Sequence, residues 1–246
     1  MTTTPSSAPV IAVRGLVKRF GIKTVLKGMD FQAEEGEFVA LLGPNGAGKT
    51  TFLRILASLS RPSAGDVRVK GHRLPQQATA VRRRLGFVSH QPLLYGDLSG
   101  EENLRFYARL YSLPNANERI AAVLKMVGMY RHRRDLVRTY SRGMQQRLAI
   151  ARALLPDPDV LLLDEPYTGL DQDAAAMLDE ILARVSTQKR TVVLTSHDLS
   201  KAALLASRFD VLARGKIAAS AGRGEISDAE LLDFYRGALA SAEAER

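Results

Sequence analysis

Short, continuous apolar runs recur along the chain and predict buried β-strands. FVALL (38–42), VLLLDE (160–165) and RTVVLTSHD (190–198) contain the clearest of these runs. Such runs are typical of parallel strands that are covered on both faces. Residues at helical spacing follow the first two runs, at 50–59 and 174–185. Because strands alternate with helices, the pattern predicts an α/β fold built on a parallel sheet.

Two regions interrupt this alternation. The chain begins with a β-rich stretch over 11–33, and turn residues followed by alternation at 61–71 predict a small hairpin. Between about 92 and 158 the pattern becomes helical, with a capping box formed by Ser99 and Glu102. The sequence therefore predicts one α/β core that is interrupted by a helical lobe. The other expected elements are helices at 116–129, after Ser141 and at 199–207, a strand at 86–90, and paired strands within 209–220.

The two ends of the chain show no core pattern. Residues 1–9 are small and polar and are interpreted as a disordered tail, without the apolar segment of a secretory signal. Residues 223–246 predict a capped helix that ends in a charged tail. No apolar run approaches the roughly 18 residues that a membrane span requires. Any association with a membrane is therefore expected to need separate membrane-spanning subunits.

Composition excludes some classes of site without selecting a function. Of 246 residues, 46% are hydrophobic and 25% are charged, as in ordinary soluble globular proteins. The chain has no cysteine, which excludes disulfides and thiolate metal sites and favours a reducing cytosol. The net charge of +9 includes basic clusters at 82–84 and 131–134. This charge fits nucleic acid, anionic lipid or nucleotide phosphates as partners, and equally a solvated basic face.

The segment GPNGAGKTT (43–51) predicts a phosphate-binding loop. It matches the pattern G-x-x-x-x-G-K-[ST] between an apolar strand and a helix. Glycines let backbone N–H groups turn inward as an anion nest, and the following helix directs its dipole at phosphate. Lys49 is expected to reach the β and γ oxygens, and the Thr50 hydroxyl to bind Mg²⁺. The residues expected to bind the nucleotide are Gly43, Pro44, Asn45, Gly46, Ala47, Gly48, Lys49, Thr50 and Thr51.

Polar residues at the ends of other strands predict the catalytic groups. Asp164 and Glu165 end a buried apolar strand, where ionised groups are unfavourable unless something compensates them. Asp164 is expected to hold Mg²⁺, and Glu165 to orient and polarise the attacking water. His197 and Gln91 end further strands, at the edge where open α/β sheets bind ligands. A catalytic role is expected for Lys49, Gln91, Glu165 and His197, and Mg²⁺ is expected at Thr50, Gln91 and Asp164.

Each of these residues also has a structural interpretation. An acidic residue at a strand end often serves as a helix N-cap, and a single histidine is more often a hydrogen-bonding residue than a catalytic one. Gln91 is expected either to donate to the γ-phosphate or to complete the Mg²⁺ shell through its carbonyl oxygen. The combination of four such strand ends beside a phosphate-binding loop favours catalysis.

These motifs occur in an order that resembles the nucleotide-binding subunits of ATP-binding-cassette (ABC) transporters over about residues 10–222. GPNGAGKTT resembles the Walker A loop, HQP the Q-loop and VLLLDEP the Walker B strand. TGLD, which ends in Asp171, resembles the D-loop, and TSHD resembles the switch-histidine segment. Phe20 matches the aromatic residue that stacks on adenine, as Phe where Tyr is commoner.

The resemblance implies the ABC ATPase fold, with ATP and Mg²⁺ as cofactors. This fold is a P-loop NTPase with a RecA-like parallel-sheet core, an N-terminal antiparallel β subdomain and an inserted helical subdomain. The expected boundaries are a tail at 1–9, the ABC ATPase domain at 10–222 with the helical subdomain at about 92–158, and a C-terminal helix and tail at 223–246.

TYSRGMQQR (139–147) resembles the family signature, usually written LSGGQQQR. Ser141 and Gly143 keep positions that touch the γ-phosphate, whereas Arg142 replaces the first glycine and Met144 the glutamine near the ribose. In the family, the signature closes over ATP held by the P-loop of a second copy, so these four residues are expected to act in trans. A helix cap at Ser141 is compatible with this role, since a capped helix start is itself an anion site. For Arg142 two roles stay open, beside a phosphate or against the membrane subunit.

The resemblance implies an ATPase that powers a membrane exporter. The expected partners are a second ABC ATPase subunit, as in a homodimer, and separate membrane-spanning permease subunits, with no nucleic acid. The expected location is peripheral, on the cytoplasmic face of the cell membrane. DEPYTGLD and YSRGMQQR together resemble the haem-exporter branch linked to cytochrome c maturation, and also drug, lipid or polysaccharide exporters. Haem is the leading substrate, and the alternative is a soluble non-transport ABC ATPase such as an iron–sulfur assembly ATPase.

Overall fold

The computed structural model describes residues 8–187 and 189–244. Residues 1–7 of the expected N-terminal tail, and the last two residues of the expected C-terminal tail, lie outside these ranges. In chain order the strands are β1 (Ile11–Phe20), β2 (Lys23–Ala33), β3 (Phe38–Leu42), β4 (Ala64–Val69), β5 (His72–Leu74), β6 (Leu85–Val88), β7 (Val160–Asp164), β8 (Thr191–Ser196), β9 (Arg208–Ala213) and β10 (Lys216–Gly222). The helices are α1 (Lys49–Leu56), α2 (Ala78–Arg84), α3 (Gly100–Leu110), α4 (Ala116–Met126), α5 (Arg142–Leu154), α6 (Gln172–Ser186), α7 (Leu199–Leu205) and α8 (Leu231–Ala244), with a 3₁₀ turn at Val137–Thr139.

A six-stranded sheet forms the core, in the order β10–β9–β3–β8–β7–β6. Strands β9, β3, β8, β7 and β6 pair in parallel, and only β10 runs antiparallel to its neighbour. Every residue of β3, β7 and β8 is buried, as expected of strands covered on both faces. The predicted parallel α/β core is therefore confirmed.

A second, four-stranded sheet contains the N-terminal β-rich stretch and the predicted hairpin. Its order is β2–β1–β4–β5, and each neighbouring pair is antiparallel. This sheet packs on α1 through an apolar cluster that includes Leu26, Phe31 and Phe52. Phe31 and Phe52 meet edge to face with ring centroids 5.0 Å apart. The predicted antiparallel β subdomain is thus present and contacts the helix that follows the phosphate loop.

Helices α3, α4 and α5 form the lobe inserted between β6 and β7. Their apolar faces share one cluster with the core sheet, which includes Leu104, Val123 and Leu148. The predicted capping box is present at the start of α3: the Ser99 hydroxyl accepts from the Glu102 N–H, and the Glu102 carboxylate accepts from the Ser99 N–H. No helix within 8–187 or 189–244 is long and apolar enough to cross a membrane.

One element near residue 85 was not predicted, and one predicted strand needs correction. Helix α2 was not expected, because only Val81 of this helix is buried and its sequence shows no apolar period. The strand expected at 86–90 begins at Leu85 and ends at Val88, so Ser89 and His90 belong to the loop that follows. The loop containing Gln91 therefore begins two residues earlier than the apolar pattern suggested.

Gly86 sets the distance between this edge strand and α5. A Cβ atom at Gly86 would overlap the carbonyl oxygen of Ala153 and lie 3.0 Å from Leu161 Cδ1. The backbone of α5 therefore rests directly on β6, a contact that a larger residue would prevent.

The close contact predicts the effect of one added methyl group. Gly86→Ala is expected to lower the free energy of unfolding by about 1–3 kcal/mol, because α5 must move away from the sheet. Urea denaturation measures this change. Gly224→Ala is the control, since nothing lies within 4 Å of its added Cβ. Equal stability of the two variants would contradict the packing described here.

Candidate functional site

The phosphate-binding loop is held against β2 and β9 by two glycines. Gly43 has φ +151°, and the Leu212 carbonyl oxygen occupies the place of a Cβ atom there. Gly48 has φ +115°, and its added Cβ would lie 2.8 Å from Leu26 Cδ2. At both positions the backbone angle and the neighbouring atoms exclude larger residues. Contacts with β2 and β9 therefore fix the conformation of the loop at these two glycines.

Helix α1 begins at this loop without a side-chain cap. Its N-cap is Gly48, and its first turn contains no acidic residue. By contrast, the side chains of Ser141 and Asp171 accept from the first-turn N–H groups of α5 and α6. The first-turn N–H groups of α1 and the positive end of its dipole instead adjoin a cavity of ≈ 300 Å³ lined by Asn45, Thr50 and Glu165. This arrangement suits an anion such as a phosphate group.

Lys49 lines this cavity. Its ammonium group donates to the Gly43 carbonyl at 2.6 Å and lies 3.4 Å from Oε1 of Glu165. The residue is only 6% exposed, so its charge acts in surroundings of low dielectric constant. The structure thus brings together two of the residues that were expected to be catalytic.

Glu165, which follows β7, contacts both Lys49 of the phosphate loop and His197, which follows β8. Its backbone has φ +51°, a left-handed conformation that is uncommon for residues with a Cβ atom. From there the carboxylate contacts Lys49 through Oε1, and its Oε2 lies 2.7 Å from Nδ1 of His197. The Glu165 side chain is 18% exposed and that of His197 is 62% exposed. One carboxylate therefore lies between a buried ammonium and an imidazole that faces solvent.

Asp164 occupies the buried side of the same strand end. Its Oδ1 accepts from the Thr50 hydroxyl at 3.0 Å and from the Thr195 hydroxyl at 2.9 Å. Burial raises the pKa of Asp164 above its ordinary value, whereas these two hydrogen bonds act in the opposite direction. The hydroxyl of Thr50 and the carboxylate of Asp164 are the hard oxygen donors that Mg²⁺ prefers. The residues present therefore fit a magnesium ion.

Thr195 is a site residue that the sequence reasoning missed. Besides its bond to Asp164, its hydroxyl accepts from the Glu165 N–H at 3.0 Å. It is fully buried in β8, directly opposite Asp164 in the parallel register. A threonine in a buried strand looks like an ordinary β-branched residue, so only the strand pairing identifies its role.

The structure does not bring Gln91 or Phe20 to this cavity. Gln91 is exposed in the loop after β6, and its carbonyl oxygen accepts from the Ser89 hydroxyl. Phe20 is 52% exposed at the end of β1, where the ammonium of Lys18 lies 4.6 Å from its ring centroid. Lys23 and Val25 of the neighbouring strand line the cavity instead. The roles expected for Gln91 and Phe20 therefore stay predictions.

The signature segment also lies apart from the residues that line this cavity. The Ser141 hydroxyl caps α5 by accepting from the Met144 N–H at 3.2 Å. A Cβ at Gly143 would lie 2.8 Å from Cβ of Ala174, so the start of α5 packs closely on the start of α6. Met144 is partly buried and packs against the apolar cluster. Asp171 caps α6 through the Ala174 N–H at 2.8 Å, which links the D-loop to the same contact.

Arg142 binds its own chain in this structure. Its Nε and one terminal nitrogen both donate to the Thr168 carbonyl oxygen, each at 3.1 Å. The guanidinium lies over Gly169, where a Cβ would be 2.6 Å from Nε. A cation in the first turn of a helix opposes the helix dipole, and this pair of hydrogen bonds compensates for it. Arg142 thus ties the start of α5 to the loop after Glu165.

A larger groove lies elsewhere on the protein. It has a volume of ≈ 630 Å³ and is lined by residues of β1, β2, β9 and β10, among them Arg14 and Arg208. None of the expected site residues lines this groove. The convergence of charged groups at the phosphate loop therefore identifies the candidate site better than cavity size does.

Curated proteins are similar to this chain over most of its length. The Nod factor export ATP-binding protein I of Ralstonia nicotianae is 38% identical over 212 residues, which cover 85% of this chain and 66% of that protein. The daunorubicin/doxorubicin resistance ATP-binding protein DrrA of Streptomyces peucetius is 37% identical over 252 residues, which cover 100% of this chain and 76% of that protein. The chain thus spans about two thirds to three quarters of the length of these relatives.

Solved structures share the fold. The dimeric bacterial ABC transporter cassette MJ0796 superposes with a TM-score of 0.78 at 28% identity, covering 86% of this chain and 98% of the other. The same cassette is known in a dimeric post-hydrolysis state bound to ADP and Pi. The protein cbiO1 from Clostridium perfringens, part of the ABC transporter complex cbiONQ, has a TM-score of 0.79 at 25% identity and covers 88% of this chain and 89% of its own.

A family model described as ABC transporter matches residues 26–168, from β2 to the segment after Glu165. This range is more than half of the chain and contains the phosphate loop, both carboxylates and the signature. The chain therefore belongs to the ABC transporter family, as an ATP-binding subunit that hydrolyses ATP with Mg²⁺.

Proposed function

We propose that this chain powers a membrane exporter, and that two copies close head to tail over ATP. The observation that carries the proposal is the Glu165 carboxylate, held between Lys49 and His197 beside the uncapped start of α1. The relatives named for Nod factor export and for drug resistance support an exporter. The location we propose is the cytoplasmic face of the membrane, against separate permease subunits.

The phosphate loop performs the electrostatic part of the reaction in this proposal. Phosphoryl transfer depends mostly on positioning and charge neutralisation. The first-turn N–H groups of α1 and the ammonium of Lys49 bind the phosphate oxygens. Thr50 and Asp164 would hold Mg²⁺, which neutralises charge on the phosphates when bound. Gln91, in the loop that follows β6, would approach the same phosphate when this loop moves.

Glu165 acts as the general base for the attacking water in this proposal. Its carboxylate accepts the water proton, and the contact between its Oε2 and Nδ1 of His197 orients it. The left-handed backbone at Glu165 turns the side chain away from the strand and towards both partners. The Thr195 hydroxyl fixes that backbone through the Glu165 N–H. In the dimer, Ser141 and Gly143 at the start of α5 would complete the phosphate shell of the other copy.

We propose that the exported substrates are drugs. Three relatives are named for resistance, two to daunorubicin or doxorubicin and one to linearmycin, and none of the relatives named here concerns haem. Haem export therefore loses its place as the leading substrate. The same relatives give no support to a soluble iron–sulfur assembly ATPase.

Removal of the carboxylate charge at Glu165 tests the assignment. Glu165→Gln is expected to lower kcat by about 10²–10⁴-fold while ATP still binds, because the amide does not accept the water proton. The variant should then accumulate as an ATP-bound dimer, which gel filtration with light scattering detects alongside phosphate release. Glu180→Gln, an exposed substitution on α6, is the control. Parental turnover in Glu165→Gln would exclude Glu165 as the base.

Two threonines of β8 separate site chemistry from stability. Thr195 donates to Asp164, whereas Thr191, at the other end of the strand, donates to the Glu34 carbonyl at 2.8 Å. Substitution by Val is expected to cost about 1 kcal/mol of stability at Thr191 and about 2 kcal/mol at Thr195, because it removes one hydrogen bond at Thr191 and two at Thr195. Only Thr195→Val should raise the Mg²⁺ concentration needed for half-maximal activity, by about 10–100-fold. An equal Mg²⁺ requirement in both variants would exclude this role for Thr195.

The position of Arg142 predicts how its loss affects the dimer. Its guanidinium binds Thr168 of its own chain, so Arg142→Gln in a Glu165→Gln background should form the ATP-driven dimer with an affinity within about threefold of the background protein, well below the tenfold change that loss of one charged hydrogen bond brings. Sedimentation at several protein concentrations measures this affinity. The exposed Arg131 gives the control variant Arg131→Gln. A dimer weakened tenfold or more only by Arg142→Gln would instead indicate a guanidinium that reaches phosphate.

A further inference from the structure

We propose that Arg152 and Tyr107 are positioning residues that fix the stem of the loop carrying Gln91. This loop, the Gln91 loop, comprises residues 89–95. Its stem consists of Phe87, just before the loop, and of residues 93–95. The inference deepens the proposed function, because it rests on Gln91 acting at the phosphate site. A buried arginine of α5, the helix that begins at the signature, thus sets the position of the Gln91 loop.

Arg152 bridges the two ends of the Gln91 loop. One terminal nitrogen of its guanidinium donates to the Phe87 carbonyl at 2.9 Å, just before the loop. The other donates to the Leu93 carbonyl at 3.2 Å, in the second half of the loop. Arg152 is only 7% exposed, so both bonds form away from solvent. The contact between Gly86 and the Ala153 carbonyl places this part of α5 directly against the strand that precedes the loop.

Helix α3 holds the same stem from a second side. The Tyr107 hydroxyl donates to the Leu93 carbonyl at 2.7 Å, and the guanidinium of Arg152 lies 5.3 Å from the centroid of the Tyr107 ring. One turn earlier on α3, the fully buried Asn103 side chain accepts from the Tyr95 N–H at 2.8 Å and donates to its carbonyl at 3.0 Å. Two helices of the inserted lobe therefore hold residues 93–95, while Gln91 stays exposed at the tip.

Stability alone does not account for a buried arginine here. Within the described residues Arg152 has no carboxylate within ion-pair distance, and the partners found are carbonyl oxygens and an aromatic ring. A buried charge without a counter-charge is costly, and an apolar side chain of similar volume often packs at least as well. What an apolar residue lacks is the ability to fix two carbonyls at once. Leu93, which has φ +52° and is 50% exposed, is the residue held in this way.

Because Arg152 belongs to α5, its hydrogen bonds link the Gln91 loop to the helix that carries the signature. Ten residues separate Arg142, at the first turn of α5, from Arg152, a distance of about 15 Å along a rigid helix. A rotation of the lobe therefore moves the signature end of α5 and the Leu93 carbonyl together. Because Leu93 lies two residues after Gln91, the tip of the Gln91 loop follows the lobe.

Hydrogen exchange in the nucleotide-free full-length chain tests the contact itself. Tyr107→Phe removes one hydrogen bond to the stem, and Arg152→Met removes two. We expect amide exchange within 89–95 to accelerate about fivefold in Tyr107→Phe and tenfold or more in Arg152→Met, with exchange in β7 unchanged. Arg152→Lys, which keeps the charge but has a single donor nitrogen, should fall between the parent and Arg152→Met. The controls are Tyr130→Phe, which keeps its ring beside Arg133, and the exposed Arg109→Lys.

Steady-state kinetics test whether the position of the Gln91 loop affects ATP hydrolysis. All three loop variants should lower kcat several-fold with an unchanged KM for ATP, and Gln91→Ala should lower kcat at least as much. Unchanged exchange within 89–95, or an acceleration that extends equally to β7, would overturn the positioning role. Faster loop exchange at parental kcat would overturn its functional consequence. If Gln91→Ala itself retains parental kcat, the assignment of Gln91 fails, while the exchange result still decides whether Arg152 holds the loop.

Discussion

The contact of one carboxylate with both Lys49 and His197 is the interaction on which the site depends. Lys49 follows β3, Glu165 follows β7 and His197 follows β8, and these strands are neighbours in the order β3–β8–β7. Their parallel direction places all three residues at the same edge of the sheet. Glu165 reaches both partners only because its backbone turns into the left-handed region where the strand ends. Strand order and one uncommon φ angle thus bring these three side chains together.

The second constraint is the packing of α5 on the core. At its first turn α5 carries the signature residues and contacts the loop after Glu165 through Arg142 and Thr168. Near its other end it rests on Gly86 and holds the Gln91 loop through Arg152. In an ATPase that couples its site to another protein, a rigid element of this kind lets two segments near the phosphates move as one body.

Much of this arrangement follows from the sequence because strong local patterns agree with the tertiary fold. The phosphate loop has a motif between a strand and a helix, and Asp164, Glu165 and His197 stand at the ends of apolar strands. Residues whose role depends on pairing between distant segments were not predictable. In the sequence, Thr195 looks like an ordinary β-branched residue of a buried strand. Arg152 looks like a solvent-facing residue, and only the structure shows that α5 is buried on most sides. The position of Arg142 depends on the Thr168 carbonyl, for which the sequence has no signal.

In the proposed function, the uncapped start of α1, together with Lys49 and Glu165, forms the nucleotide site. Hydrogen exchange of the backbone amides of residues 45–51 in the full-length chain, with and without MgATP, measures this most directly. The account predicts strong protection of these amides by MgATP and little by adenosine, since phosphate is the group that these N–H donors bind. Equal protection by adenosine, or no protection by MgATP at saturating concentration, would contradict it.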